Sequence, residues 1–152
     1  MREEYYTFYD YMKQSNLTAS EEDYLEMIYR LVIDLEGDTR INEIAKALNI
    51  KAPSVTRMMK KLTEKKLINY EPYGKIKLTE TGEKIAEFLY YRHEVIYDFL
   101  DVIGIKDNKL KETEKMEHML SKNTVECFKN ITIFFQNNPS CYQIYKEIKK
   151  GQ

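Results

Sequence analysis

Residues 41–79 read INEIAKALNIKAPSVTRMMKKLTEKKLINYEPYGKIKLT. Ile41, Ile44, Ala45 and Leu48 recur at helical spacing, and the run stops near Asn49. Pro53 falls where the first turn of a new helix tolerates a residue without an N–H. Val55, Met58, Met59 and Leu62 are the inward positions of that second helix, which runs to about Lys66. Two short amphipathic helices joined by a tight turn predict a helix-turn-helix, with the small Ala45 where the helices approach closely. Leu67–Glu71 and Lys75–Thr79 then read as paired strands around a Pro72-Tyr73-Gly74 turn. A helix-turn-helix followed at once by a two-stranded ribbon predicts a winged helix.

The flanks predict helices. Ser20 is placed to cap a helix whose first turn holds Glu21, Glu22 and Asp23, with Leu25, Ile28, Tyr29 and Val32 as its apolar stripe and Gly37 as its end. Asp23 and Glu26 share a face turned away from that stripe. Beyond the wing, Thr79 or Thr81 caps a long helix carrying Ile85, Phe88, Leu89, Ile96 and Phe99, which Gly104 breaks. A last major helix is expected from Thr113 to about Phe135, striped by Met116, Leu120, Cys127, Ile131 and Phe134; that stripe suits either a dimer surface or monomer core. Asn137-Asn-Pro139 ends it, and Cys141–Lys150 can add a short tail helix. At the other end, Tyr5, Phe8, Tyr9 and Met12 predict a short helix. The expected fold is mainly α: an extension over 1–19, a winged-helix domain over 20–82, and a helical domain over 83–152.

Composition narrows the function classes. The chain has 152 residues, 43% hydrophobic and 32% charged, which excludes a disordered or collagen-like polymer. No apolar run approaches the ~20 residues of a membrane span, and with no h-region at its start no signal peptide is expected. With only Cys127 and Cys141, a reducing cytoplasmic setting is expected and no membrane partner. The net charge of −1 hides a segregation: residues 40–77 hold ten basic and three acidic side chains, so they carry +7 and the remainder −8. A basic third suits an anionic partner.

A winged helix with that charge suits double-stranded DNA. Lys51, Ser54, Thr56, Arg57, Lys60 and Lys61 on the second helix are the side-chain types that meet phosphates and base edges, with Arg57 the choice for a base contact. Tyr73 and Lys75 at the wing would meet the backbone or minor groove. One module reads few base pairs, so a homodimer on a palindromic operator is expected.

The acidic remainder carries the two histidines, His93 and His118, and Glu114, Glu117 and His118 lie within one helical turn or so, a spacing able to gather a cation. Asp23, Glu26, His93, Glu114, Glu117 and His118 together offer six oxygen and nitrogen ligands. The stretches Asp23-Tyr-Leu-Glu26, Tyr91-Arg-His93-Glu94 and Glu114-Lys-Met-Glu117-His118 resemble, in order and approximate spacing, those of the manganese transport regulators, short members of the diphtheria-toxin-repressor family. Ala52-Pro-Ser-Val-Thr56 and Lys77-Leu-Thr-Glu-Thr-Gly82 are similar to that family too, and the resemblance spans about residues 20–136.

The resemblance implies a homodimeric, metal-dependent repressor whose six matching residues bind one or two Mn²⁺ ions per subunit, with the positions of Glu114 and Glu117 able to bridge them. Met119 departs from the family, where a second histidine often follows His118, as does the Tyr-rich segment before Ser20. The chain is also expected to lack the SH3-like third domain of longer iron-responsive relatives. Those relatives tend to carry Met at the position of Asp23 and Cys at that of Glu114. Carboxylates there suit Mn²⁺, with Fe²⁺, Co²⁺, Cd²⁺ or Zn²⁺ as substitutes. Alternatives are an iron-responsive or other divalent-metal regulator of the same family, or a winged-helix regulator answering an organic ligand among Tyr90, Tyr91, Phe99 and Phe134. A hydrolase is disfavoured, since the chain has no nucleophile elbow, phosphate loop or HExxH motif.

Overall fold

A computed structural model describes residues 17–34 and 37–151. The Tyr5, Phe8, Tyr9 and Met12 segment therefore lies outside the described residues. The order is α1 (Ala19–Asp34), α2 (Ile41–Ala47), α3 (Ala52–Glu64), β1 (Ile68–Tyr70), β2 (Ile76–Leu78), α4 (Glu80–Val102), α5 (Lys109–Glu117), α6 (Lys122–Asn137) and α7 (Pro139–Lys150). The chain divides into two compact units at Tyr90/Tyr91.

In the first unit, α2 and α3 form the helix-turn-helix and β1 pairs antiparallel with β2, Asn69 opposite Lys77. Thr39 adds a one-residue bridge to Ile76, so the wing has a third short rung that the sequence pattern did not reveal. Buried Leu25, Ile28, Ile44, Val55, Met59 and Leu62 supply the apolar interior of the three helices. Each such side chain contributes roughly 1.5–3 kcal/mol.

Helix ends are closed by backbone geometry. Asn49, Lys66 and Gly104 have φ of 52°, 58° and 85° and follow α2, α3 and α4. Ile50 N–H donates to the Ala45 carbonyl at 2.9 Å, Leu67 to Leu62 at 3.0 Å and Ile105 to Leu100 at 2.8 Å, the reverse-turn closure of a left-handed cap. The cap of α1 differs from expectation. Thr18, not Ser20, does the work: its hydroxyl accepts from the Glu21 N–H at 3.2 Å, while Glu21 Oε2 accepts from the Thr18 N–H at 2.9 Å. Glu21 supplies the reciprocal half of this capping box, and Ser20 is already inside the helix.

The wing is joined to α4 by a close approach. Thr79 Oγ1 caps α4 by accepting from the Gly82 N–H at 3.0 Å, and donates to the Leu67 carbonyl at 3.1 Å. Gly82 sits so near Leu67 that a Cβ would overlap its carbonyl oxygen. Glycine is required here by space rather than by φ.

In the second unit, Val95, Ile96, Leu100 and Val125 form the core, with Phe99, Met116 and Phe128 packed against it. Phe99 and Phe128 stack at 3.9 Å. The single helix expected from Thr113 to Phe135 is two helices. Ser121 interrupts it, accepting the Thr124 N–H at 3.2 Å as the N-cap of α6. Met116 and Leu120 thus face the core, while Cys127, Ile131 and Phe134 are exposed on a separate helix. Asn138 links α6 to α7, with Pro139 opening the latter. Near the end of α7, Tyr145 Oη and Lys149 Nζ donate to the Ile103 carbonyl at 2.9 and 3.0 Å, satisfying the C-terminal end of α4.

Glu21 also accepts from Lys65 Nζ at 2.8 Å. Burial alone would raise its carboxyl pKa, but the Lys65 ammonium and the Thr18 cap outweigh burial and hold it below the ordinary value of 4.5. A depressed carboxyl contributes stability above its unfolded pKa, and that contribution is lost as pH falls through the folded value. Lys65→Met should therefore cost about 1 kcal/mol near neutrality, with the gap from wild type closing below pH 4.5 in urea titrations. Gly82→Ala should lower stability by about 2 kcal/mol or more at any pH, read as a fall in Tm.

Candidate metal centre and nucleic-acid interface

His93 lies in the second half of α4 and Glu117 is the last residue of α5. Both are buried, at 5% and 2% exposure. Their side chains meet, His93 Nδ1 to Glu117 Oε2 at 2.8 Å. With its proton on Nδ1, His93 donates this bond. His118 follows as the C-cap of α5, its Nε2 3.7 Å from Glu117 Oε1. The end of α5 thus carries Glu117 and His118, with His93 of α4 against the carboxylate, and the unpaired carbonyls of that helix end make the field negative. Hard oxygen and imidazole donors in such a field fit a divalent cation.

The other sequence-predicted ligands are distributed differently. Glu114 is exposed one turn earlier on α5, and no cluster containing it forms among the described residues. Asp23 and Glu26 are on α1 in the first unit. Asp23 is exposed, but Glu26 is buried, a correction to the reading of that face as turned to solvent. Arg30 donates to Glu26 Oε1 from Nε at 3.0 Å and from Nη2 at 2.7 Å. The i,i+4 spacing of Glu26 and Arg30 could have signalled this pair.

In α3, Val55, Met59 and Leu62 are buried, while Lys51, Arg57, Lys60 and Lys61 are exposed. Met58, expected inward, is half-buried. Ser54 is half-buried, and its Oγ accepts from Arg57 Nη2 at 3.4 Å. Thr56 donates its hydroxyl to the Ala52 carbonyl at 3.1 Å, so its donor is occupied within the helix. The wing tip is a turn closed by Gly74 N–H to the Glu71 carbonyl at 2.8 Å, with Tyr73 fully exposed at φ 63°. Lys75 is exposed, yet its Nζ pairs with Asp38 at 2.8 Å. That acid, outside the basic stretch, was not singled out from the sequence; it tempers the wing's charge.

Two family models match. Residues 16–76 match the iron dependent repressor N-terminal DNA binding domain, and residues 79–146 its metal binding and dimerisation domain. The chain belongs to the iron dependent repressor family. It is 37% identical over 134 residues to the HTH-type transcriptional regulator MntR of Oceanobacillus iheyensis, covering 88% of this chain and 90% of that one. It is 39% identical over 134 residues to the protein of that name from Shouchella clausii, covering 88% and 93%. Among solved structures, the manganese regulator SloR superposes with a TM-score of 0.63 at 31% identity. That match covers 73% of this chain, which spans about half (52%) of the SloR chain.

The regulator is thus a metal-dependent transcriptional repressor and not an enzyme. Its mainly helical architecture, with a winged N-terminal DNA-binding domain and a helical metal-binding and dimerisation domain, agrees with the fold class expected from sequence. Among the described residues, no helix is long and apolar enough to cross a membrane.

Replacing exposed Arg57 by Ala should weaken specific DNA binding by about 1–3 kcal/mol. Metal uptake should be unchanged. Fluorescence anisotropy on DNA, paired with calorimetric metal titration, separates the two.

Proposed function

We propose that this regulator is a manganese sensor: a cytoplasmic repressor that binds palindromic operator DNA as a homodimer when Mn²⁺ is held by Asp23, Glu26, His93, Glu114, Glu117 and His118. The observation that carries the reading is the buried Glu117 carboxylate against His93, with His118 beside it at the end of α5. The geometry supports these three as ligands; Asp23, Glu26 and Glu114 enter on sequence resemblance. The names of the relatives support manganese. A ligand set without thiolate or thioether suits a hard ion.

The site's own residues suggest how metal reaches DNA. A bound cation supplies the positive charge that offsets repulsion among neighbouring carboxylates. His93, Glu117 and His118 belong to the second unit, Asp23 and Glu26 to the DNA-binding unit. A ligand set drawn from both makes the DNA-competent population depend on metal, by no more than the ion's differential affinity for that state. Lys51, Ser54, Thr56, Arg57, Lys60, Lys61, Tyr73 and Lys75 would form the DNA surface. Fe²⁺, Co²⁺, Cd²⁺ and Zn²⁺ would substitute in vitro, because Mn²⁺ lies at the weak end of the divalent series. We propose one or two ions per subunit.

Mn²⁺ should raise affinity for an operator selected in vitro by tenfold or more at fixed salt, about 1.4 kcal/mol. Equal affinity with and without Mn²⁺ would sink the sensor reading. Glu117→Ala should abolish the response while sparing weak, salt-sensitive DNA binding.

A further inference from the structure

Arg30 stands one turn beyond Glu26 on α1. Its side chain is 31% exposed, whereas the Glu26 side chain it meets is only 10% exposed. Both of its bonds, from Nε at 3.0 Å and Nη2 at 2.7 Å, fall on the one oxygen Oε1. The guanidinium is also held from another side. Its carbon lies 5.0 Å from the centre of the Tyr90 ring on α4, and that ring meets Tyr29 of α1 at 5.8 Å. A solvated i,i+4 pair on a helix surface is weak and mobile. A buried acceptor and an aromatic face make this one a fixed pair.

The chain therefore keeps a cation of its own on a carboxylate that the reading above assigns to a metal. Two consequences carry the same sign. Without metal, the guanidinium satisfies the charge of Glu26, which stabilises the metal-free state. With a divalent ion on the same carboxylate, the two cations repel at short range, and the guanidinium must share Oε1 or release it. Fixing the carboxylate in one rotamer works the other way, but weakly beside repulsion between a single and a double charge a few ångströms apart. Arginine has no acceptor atom and cannot itself be a ligand.

We propose that Arg30 is a resident counter-ion of Glu26 that weakens metal binding and so sets the ion concentration at which the regulator responds. It acts through Glu26, as a positioning residue. The inference rests on the assignment of Glu26 as a ligand and adds the group that tunes it.

Mn²⁺ binding to the full chain, read from the paramagnetic resonance of the free ion, tests this in wild type, Arg30→Met, Arg30→Lys, Glu26→Gln and Glu26→Gln/Arg30→Met. Arg30→Met should tighten binding by about tenfold. Arg30→Lys keeps the charge and should stay within about threefold of wild type. On the Glu26→Gln background the Arg30→Met gain should shrink to less than about threefold. Unchanged or weaker binding in Arg30→Met would overturn the proposal. So would equal tightening by Arg30→Lys, the mark of a packing effect, or a full gain without Glu26. If Arg30→Met fails to fold, Arg30→Gln should show the same tightening, and its absence rejects the counter-ion. Wild-type affinity in Glu26→Gln would instead remove Glu26 from the ligand set, and this inference with it.

Discussion

A carboxylate at 2% exposure cannot be left to itself. Removing its charge from water costs several kcal/mol unless opposite charge or good donors meet it. Glu117 is met by His93, and the break after α5 sets His118 beside it. The C-terminal end of α5 adds a negative field beside that carboxylate. The local field therefore favours a cation. The rest of the metal-binding unit can be understood as what holds these side chains in place. Phe99 on Phe128 fixes the register of α4 against α6, and Tyr145 with Lys149 closes the end of α4.

The DNA-binding unit solves a different problem. A recognition helix must hold its position while exposing charge along one side. Buried Val55, Met59 and Leu62 anchor α3, and the bridge from Thr39 to Ile76 stiffens the wing. The Gly82 contact with Leu67 then seats the start of α4 against the wing's first strand, leaving Lys51, Arg57, Lys60 and Lys61 outward. Contacts to phosphates carry no sequence information, so a frame that fixes the helix is what any base-edge reading requires.

The winged helix was legible because each local signal agreed with its neighbours. Pro53 opens α3, Asn49 stops α2, and Tyr73-Gly74 turns the wing. What escaped was decided by competition between adjacent signals. Thr18 and Ser20 are both cap residues, and Glu21, three residues after Thr18, completes the box there. The apolar periodicity from Met116 to Phe134 continues through Ser121, so periodicity alone joins two helices that the Ser121 cap separates. Glu26 looked solvated because position on a helix face does not report what another part of the fold covers. His93 and Glu117 are 24 residues apart, and only the fold brings them into contact.

The same break that the sequence pattern did not reveal gives the second unit two helices of independent phase. One uninterrupted helix would project Glu117, His118, Ile131 and Phe134 from a single rigid rod. Its apolar stripe would then have to serve as core and exterior together. Ending α5 at Glu117 sets Glu117 and His118 at a helix terminus, while α6 starts with a new phase and directs Val125 and Phe128 inward. The opposite face of α6 is thereby released from the core and can be apolar without charge. Ser121, as the cap that opens α6, is the residue that separates the two helices.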